Sequence, residues 1–542
     1  MIAREEIVHD ARSDAYRPAL ALAPSPPYRV RLSPRPDPRY FPYLLWVYCA
    51  FAVVYLTWRV TTVNVHVWYG PVIFAGEIYG VVMTGSFLTI TRRIYVPVYR
   101  RPTRAATVDI FIPTYNEPLD VLRPTVVGAL RVRGAKEIFV LDDGDQPEVE
   151  AMARSLGVRY LARGTNADAK AGNLNHALPH STAEFILTLD ADHIPMPHFL
   201  ERTMGYFDDD GLAFVQTPQS FYNHDSFLFR RRRRGGTWSE QGMFYNVIQP
   251  GKNRWNSAFY VGTSAVLRRS ALDEIGGFAT GTVTEDLHTS LRLHARGWKS
   301  LFVPEALAFG LEAQSLREFY RQRRRWATGS LSLLLRLPDS PLRARGLSLA
   351  QRMNYLNACL AHLQGVQKLA YFVVPIACTF QLRSPVTTPL AGFVPLFVAF
   401  TGMSMFFTSR YSRGTYHPVF TESYNLVNST PHLAGLRGAV QVERRFAVSS
   451  KRATRTAGTW TRGLLWVLLV LSAVALVRAI SVVADHGTGA LGDNAGVLIA
   501  SIPFLLVNAA HLVSFVTCLR AYERSDQTTI LSPVAAPAPA PA

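Results

Sequence analysis

Several clusters of polar residues have the types and spacing that chemistry at a phosphate or a sugar would use. Asp190 and Asp192 stand two apart in Asp-Ala-Asp-His (190–193). On an extended segment both side chains point the same way. Two converging carboxylates make a hard-oxygen site suited to Mg2+ or Mn2+, which takes water and substrate phosphate as its other ligands. A second acidic pair, Asp142 and Asp143, opens Asp-Asp-Gly (142–144). Lys170 lies in Asp-Ala-Lys-Ala-Gly-Asn-Leu-Asn (168–175). A lysine before a small, Gly-containing turn can approach a diphosphate as a point charge; a solvated loop lysine would look the same.

Thr284-Glu285-Asp286 precedes a helical stretch, so Thr284 reads as an N-cap with acids in the first turn. A carboxylate there stays ionised at neutral pH, as a general base that deprotonates an acceptor hydroxyl must. Ordinary capping explains the same residues, and for Glu285 it suffices. Gln322 and Arg325 share a helix face, with Trp326 adjacent. An indole suits the apolar face of a sugar ring, and Arg323 to Arg325 can neutralise a diphosphate leaving group. The same helix also reads as interfacial, its arginines on lipid headgroups and Leu333 to Leu335 in the membrane. The run Arg230 to Arg234 has no aromatic interleaving and reads as a lipid-facing or solvated patch without a catalytic role.

The elements that must position these residues alternate strand, loop and helix. Short β-rich runs at Val108 to Ile112, Glu137 to Leu141 and Phe185 to Leu189 end in Pro-Thr-Tyr-Asn-Glu-Pro, Asp-Asp-Gly and Asp-Ala-Asp-His. Strands spaced by helical stretches predict an α/β domain with a mostly parallel sheet. Ligands of such sheets bind at the carboxyl ends of the strands, where all three clusters fall.

Apolar runs long enough to cross a bilayer recur near 41–58, 68–91, 359–380, 387–408, 462–483 and 494–518. Arginines before the first run and after the second predict that both flanks, and the soluble stretch that follows, face the cytoplasm. The loop 484–493, with Asp485 and Asp493 and no Lys or Arg, reads as external. The expected organisation is a disordered N-terminus (1–40), two spans (41–91), a catalytic domain (103–335) and an interfacial helix region (336–358). Two more spans (359–408), a cytoplasmic segment (409–461), two last spans (462–518) and a disordered tail (519–542) complete it. Gln364 and Lys368, Glu77, and Arg478 are polar groups inside spans. They point to a protein interior or a water-filled path, with snorkelling an equal reading for Arg478.

The net charge of +18 fits contact with anionic headgroups and an anionic substrate. Nucleic-acid binding is not expected, because the basic residues follow membrane flanks and no binding motif appears. The four cysteines have no spacing that suggests disulfides or zinc and read as small buried hydrophobes.

The ordered set Asp-Asp-Gly, Asp-Ala-Asp, Thr-Glu-Asp and Gln-x-x-Arg-Trp resembles the processive family 2 glycosyltransferases, and among them the bacterial cellulose synthase catalytic subunits. Phe-Ile-Pro-Thr-Tyr-Asn-Glu-Pro (111–118), Gln-Thr-Pro (216–218), Ala-Val-Leu-Arg-Arg (265–269) and Arg-Gly-Trp-Lys-Ser (296–300) add to the likeness. Phe446-Ala-Val-Ser-Ser-Lys451 looks like the family's gating loop, with Ser449 where Thr is usual.

The resemblance implies a GT-A type, Rossmann-like catalytic domain inserted in an α-helical transmembrane domain of the plasma (inner) membrane. It implies UDP-glucose as donor, a divalent metal (Mg2+ or Mn2+), a growing β-glucan as acceptor and passage of the polymer through the bilayer. Asp143 would hold the uracil, with Tyr115 and Glu117 nearby; Asp190 and Asp192 would serve nucleotide and metal, and Lys170 the diphosphate. Asp286 would be the base. Gln322, Arg325 and Trp326 would hold diphosphate and acceptor sugar, and Phe446, Val448 and Lys451 would close over the donor.

Departures temper this picture. Two spans precede the catalytic domain where the family has more, and the stretch after the last span is too short for a cyclic-di-GMP-binding barrel in cis. Val261-Gly-Thr-Ser replaces a Cys-Gly-Ser type segment, and Gln219-Ser-Phe-Tyr follows Gln-Thr-Pro. The linkage, β-1,4 by resemblance, is thereby open to a β-1,3 or mixed-linkage alternative. A non-processive transferase acting on a lipid carrier has no need of the Gln-x-x-Arg-Trp helix. A degenerate, non-enzymatic relative would have lost carboxylates that are all present here. A separate subunit that exports or receives the polymer would be a further partner.

Overall fold

The computed structural model describes residues 43–223, 226, 228–231, 237–441, 459–491 and 493–524. The gating-loop match with Phe446, Val448 and Lys451 lies outside them, as do most of the two terminal segments.

Twelve short strands follow one another through the catalytic half: β1 (Val108–Thr114), β2 (Ala135–Asp142), β3 (Arg159–Ala162), β4 (Phe185–Thr188), β5 (Ile194–Pro195), β6 (Leu212–Gln216), β7 (Ser220–Phe221), β8 (Phe229–Arg231), β9 (Thr237–Ser239), β10 (Ala265–Arg268), β11 (Lys299–Phe302) and β12 (Ala308–Gly310). Seven form one sheet in the order β11-β6-β10-β4-β1-β2-β3. The pairs β1–β2, β1–β4, β2–β3 and β6–β11 are parallel, as the alternation of strand and helix predicts. The strands are apolar and buried on both faces, because helices cover both sides.

One strand runs against the rest. β10 is antiparallel to both β4 and β6, with Ala265 opposite Thr188 and Gln216. Its starting end therefore lies at the carboxyl ends of its neighbours, and Val261 to Ser264 are delivered to the same edge as the acidic clusters. A small sheet (β5, β12, β7) and the β8–β9 hairpin complete the domain.

Five helices contain stretches long and apolar enough to cross a membrane: Leu45–Thr62, Tyr69–Thr91, Ala391–Tyr411, Gly463–Asp485 and Ala495–Thr517. The third expected span, 359–380, is not among them. Its place is taken by the Gln364–Gln381 helix, which carries Gln364, Gln367 and Lys368 on its first turns. That helix packs against the Tyr69–Thr91, Thr459–Leu491 and Asp493–Arg524 helices and against Pro418–Val427. Its polar groups are met there: Lys368 pairs with Glu422 at 2.5 Å, and Gln367 Nε2 donates to the Gly76 carbonyl at 2.6 Å. Enclosure by other helices relaxes the demand for apolar composition that lipid contact imposes.

The other intramembrane charges are also accounted for. Glu77 pairs with Arg59 at 2.7 Å, and Arg59 donates to Thr62 Oγ1 at 3.0 Å. Arg478 Nε donates to the Thr379 carbonyl at 3.4 Å, at the end of the Gln364–Gln381 helix. The expected external loop 484–493 is largely helix, since the helices Thr459–Leu491 and Asp493–Arg524 nearly abut.

One reading of the Leu316–Leu335 helix and one of the arginine run need correction. Leu333 and Leu334 are not free to face lipid, since they are buried with Leu287, Leu291, Leu347 and Tyr355, and of the three leucines Leu335 alone is exposed. The neighbouring Leu349–Leu360 helix instead keeps Leu349 and Met353 exposed, as an interfacial helix would. Of the arginine run, Arg230 is neither solvated nor idle. Its Nη1 donates to the Ser514 carbonyl at 3.1 Å, and its guanidinium stacks 4.9 Å from the Phe420 ring centre.

Candidate active site

Each strand end folds its own polar residues into place. After β1 the chain turns through Asn116 at φ +60°, and the Glu117 carboxylate accepts from Thr114 Oγ1 at 2.7 Å and from the Tyr115 amide. After β2, Asp142 accepts from the Gly144 and Gln146 amides, both at 2.8 Å, and so builds the turn. Asp143 is thereby freed to face outward from that turn. There it meets Arg163, which follows β3 and holds it by two contacts of 2.5 and 2.7 Å. Arg163 escaped the sequence reading, since it lies outside any motif that composition marks.

Asp190 and Asp192 are not on an extended segment. They sit in a turn closed by the His193 amide donating to the Asp190 carbonyl at 3.0 Å. The turn nevertheless brings ligand atoms of Asp190, Asp192 and His193 within 4.8 Å of one another. Two carboxylates and an imidazole at this spacing fit a divalent cation, and the two acids alone fit Mg2+ or Mn2+. His193 Nδ1 lies 3.0 Å from Asp192 Oδ1, so the ring also orients that carboxylate.

Lys170 Nζ donates to Asp190 and, at 2.8 Å, to the Gly262 carbonyl. Burial lowers the Lys170 pKa, but Asp190 and the more distant Glu285 and Asp286 outweigh it and hold the ammonium above its usual range. Gly262 is at φ +88°, and a Cβ there would come 3.3 Å from Asp286 Oδ2 and 3.4 Å from Lys170 Nζ. Only glycine adopts this conformation without strain. β10 thus places a side-chain-free residue between the lysine and the acid, and Thr263 Oγ1 accepts from the Asp190 amide at 2.8 Å.

Thr284 does not cap its helix by a side-chain hydrogen bond. Its methyl and hydroxyl press instead on Gly329 of the Leu316–Leu335 helix, where a Cβ would lie 2.5 Å away. Asp286 Oδ1 accepts from the Leu287 amide at 2.7 Å. Burial first, and the adjacent Glu285 charge second, push the Asp286 carboxyl up to about 7. The sequence reading had it fully ionised at neutral pH; burial is what the sequence did not show. A base poised near 7 is well matched to proton transfer at neutral pH.

The Leu316–Leu335 helix is wedged between that loop and the Ser429–Gln441 helix, whose Gly435 lets Ala327 approach closely. This fixes Gln322, Arg325 and Trp326. Arg323 is not available to a diphosphate. It pairs with Glu240, which follows β9, and stacks 4.3 Å from the Trp326 ring centre. Glu312, pushed up to about 7 by burial, accepts from Gln241 Nε2 at 2.8 Å beside them.

One cavity of about 470 Å³ is lined by Tyr115, Glu117, Asp143, Lys170, Asp190, Asp192, Thr284, Glu285, Asp286, Gln322, Arg325 and Trp326, but not by Asp142 or Arg324. Gln219 and Val261, where the sequence departs from the family pattern, line it too. Sequence reasoning missed Glu240, Glu312, His362, Asn428 and His432, which carry the cavity beyond Trp326 toward the membrane helices. They lie in no motif and meet only in three dimensions.

Residues 109–276 match the family model described as glycosyl transferase family 2, and residues 273–531 match the one described as cellulose synthase. A cellulose synthase 1 catalytic subunit, UDP-forming, of Komagataeibacter xylinus is 40% identical over 351 residues, 62% of this chain and 47% of that protein. A cellulose synthase catalytic subunit, UDP-forming, of Xanthomonas axonopodis pv. citri is 43% identical over 267 residues, 48% of this chain and 36% of that protein. The chain thus spans less than half the length of these relatives. A mannosyltransferase of Pyrobaculum calidifontis, solved with GDP-Man and Mn2+, superposes with a TM-score of 0.49 at 17% identity, covering 69% of this chain and all of that one.

Proposed function

We propose, for a chain whose sequence matches the glycosyl transferase family 2 and cellulose synthase models, processive, inverting transfer of glucose from UDP-glucose to the non-reducing end of a β-glucan, β-1,4 linked, with passage of the polymer across the plasma membrane. The catalytic domain faces the cytoplasm in this reading. The observation that carries it is the single cavity. It joins the acidic strand ends to Trp326 and is lined further by His362, Gln364, Tyr424, Asn428 and His432, from helices that pack beside the membrane-spanning ones. A transferase that releases a small product needs no such continuation.

Asp143, oriented by Arg163, receives the uracil with Tyr115 alongside. Asp190 and Asp192 hold a divalent cation, which when bound offsets negative charge on the diphosphate. Lys170, and Arg325 with Gln322, face the departing UDP and stabilise its charge. Trp326 supports the acceptor sugar by its ring face. Asp286 takes the acceptor hydroxyl proton as that oxygen attacks C1 and the bond from C1 to UDP breaks. Phe446, Val448 and Lys451 close over the donor.

The test uses purified enzyme in lipid vesicles with labelled UDP-glucose and Mg2+ or Mn2+, followed by digestion with linkage-specific glucanases. High-molecular-weight product cut only by a β-1,4 enzyme is the expected result. Product cut by a β-1,3 or mixed-linkage enzyme would move specificity to Gln219 and Val261. Short, lipid-linked product would overturn processivity.

A further inference from the structure

We propose that Arg92, Arg93 and Arg254 form a site for the phosphodiester headgroup of an anionic phospholipid, at the junction of the membrane half and the catalytic domain. Arg92 caps the Tyr69–Thr91 helix, its amide donating to the Leu88 carbonyl at 2.9 Å. The short Gln249–Lys252 helix abuts the same end, because a Cβ on Gly251 would come 2.7 Å from the Ile90 carbonyl oxygen. The chain then turns, and Trp255 is laid beside both arginines. Its ring centre is 5.9 Å from the Arg92 guanidinium and 5.2 Å from that of Arg254.

The patch holds charge without a counterpart. Among the described residues, Arg92, Arg93 and Arg254 make no ion pair and no side-chain hydrogen bond. Arg92 Nε and Trp255 Nε1 are donors shut off from water with no partner, a cost that an acceptor in the patch would remove. Burial first, then the facing Arg92 and Arg93, lower the Arg254 pKa. Planar guanidinium forks match phosphate oxygens, and an anion set among three cations relieves their repulsion.

Depth identifies the source of the phosphate. The Tyr69–Thr91 helix is long and apolar enough to span the bilayer and ends immediately before Arg92, which puts the patch at headgroup level. Apolar side chains flank it. Asn253 Nδ2 donates to the Tyr95 carbonyl at 3.1 Å, and Val98 shortly beyond is 66% exposed. Lys252 Nζ donates to the Asn354 carbonyl at 3.3 Å, next to Met353, which is 50% exposed. A soluble phosphate has no use for such neighbours; acyl chains do.

Native mass spectrometry of the full chain in mild detergent tests this, with phosphatidylglycerol, phosphatidylcholine and inorganic phosphate as probes. Wild type should retain phosphatidylglycerol and release phosphatidylcholine. Arg92→Gln with Arg254→Gln should retain about thirtyfold less, at roughly 1 kcal/mol per arginine near an anionic surface. The double Lys variant should fall between, since it keeps charge and loses the fork. Trp255→Phe keeps the ring and removes one donor, and should show a smaller loss. It carries the test should the double Gln variant fail to fold. Equal retention by wild type and these variants, or equal binding of the two lipids, would overturn the proposal. Displacement of the lipid by inorganic phosphate would assign the patch to free phosphate instead.

Discussion

Arg59 with Glu77 in the membrane half and Lys170 with Asp190 in the catalytic half are both close ion pairs, yet only the second faces a cavity. The Arg59 and Glu77 side chains are 0% and 2% exposed, and two contacts between them plus Thr62 give every polar atom of the pair a partner. Lys170 and Asp190 are 16% and 33% exposed and border open space. The first arrangement is closed by burial, with each polar atom already engaged. The second borders open space, and in the proposed reading a metal and a diphosphate would each offer it a better partner. Charge inside the helices serves assembly, and charge at the strand ends is held ready for exchange.

The comparison breaks most sharply at Asp286. Asp286→Asn keeps the shape and the Leu287 amide contact but cannot accept a proton. We expect turnover to fall by about 10²–10⁴, with UDP binding by calorimetry unchanged. Normal polymer yield from this variant would remove Asp286 from the chemistry. The next largest effect should come from the closed pair. Glu77→Leu leaves Arg59 buried and unpaired and should cost about 3–5 kcal/mol, whereas Arg59→Met with Glu77→Leu should approach wild type. Thermal unfolding in detergent reads both. Equal stability of single and double variants would show that the pair is not closed as described.

How much of this was legible beforehand follows from the same contrast. Strand ends advertise their chemistry in short motifs, so the α/β sheet and its acidic strand ends were legible from spacing, and the resemblance those motifs carry added the residues from Tyr115 to Trp326 to the same site. β10 broke the parallel pattern without changing that edge, because only its direction differs, and its residues are as apolar as those of any buried strand. Long-range pairing was not legible. Arg163 on Asp143, Arg323 on Glu240 and Arg59 on Glu77 join residues 18 to 83 positions apart, and nothing local marks either partner. For the same reason the Gln364–Gln381 helix looked like a span. Its enclosure depends on neighbours that hydropathy does not see.

The smallest effect tests the exchangeable side most finely. Glu285 is the second cause, after burial, of the raised Asp286 pKa. Glu285→Gln removes that charge and leaves burial in place, so the Asp286 carboxyl should ionise at lower pH. The acidic limb of the kcat/KM profile, which reports the free enzyme, should therefore move toward lower pH. At pH 7 the gain is bounded. A base with a pKa of about 7 is half ionised there, so full ionisation raises the rate by no more than about twofold. A limb that stays in place would assign it to another group, with Glu312, also raised to about 7 by burial, the nearest alternative on the cavity wall. A limb that moves upward would overturn direct charge repulsion from Glu285 as a cause of the raised Asp286 pKa.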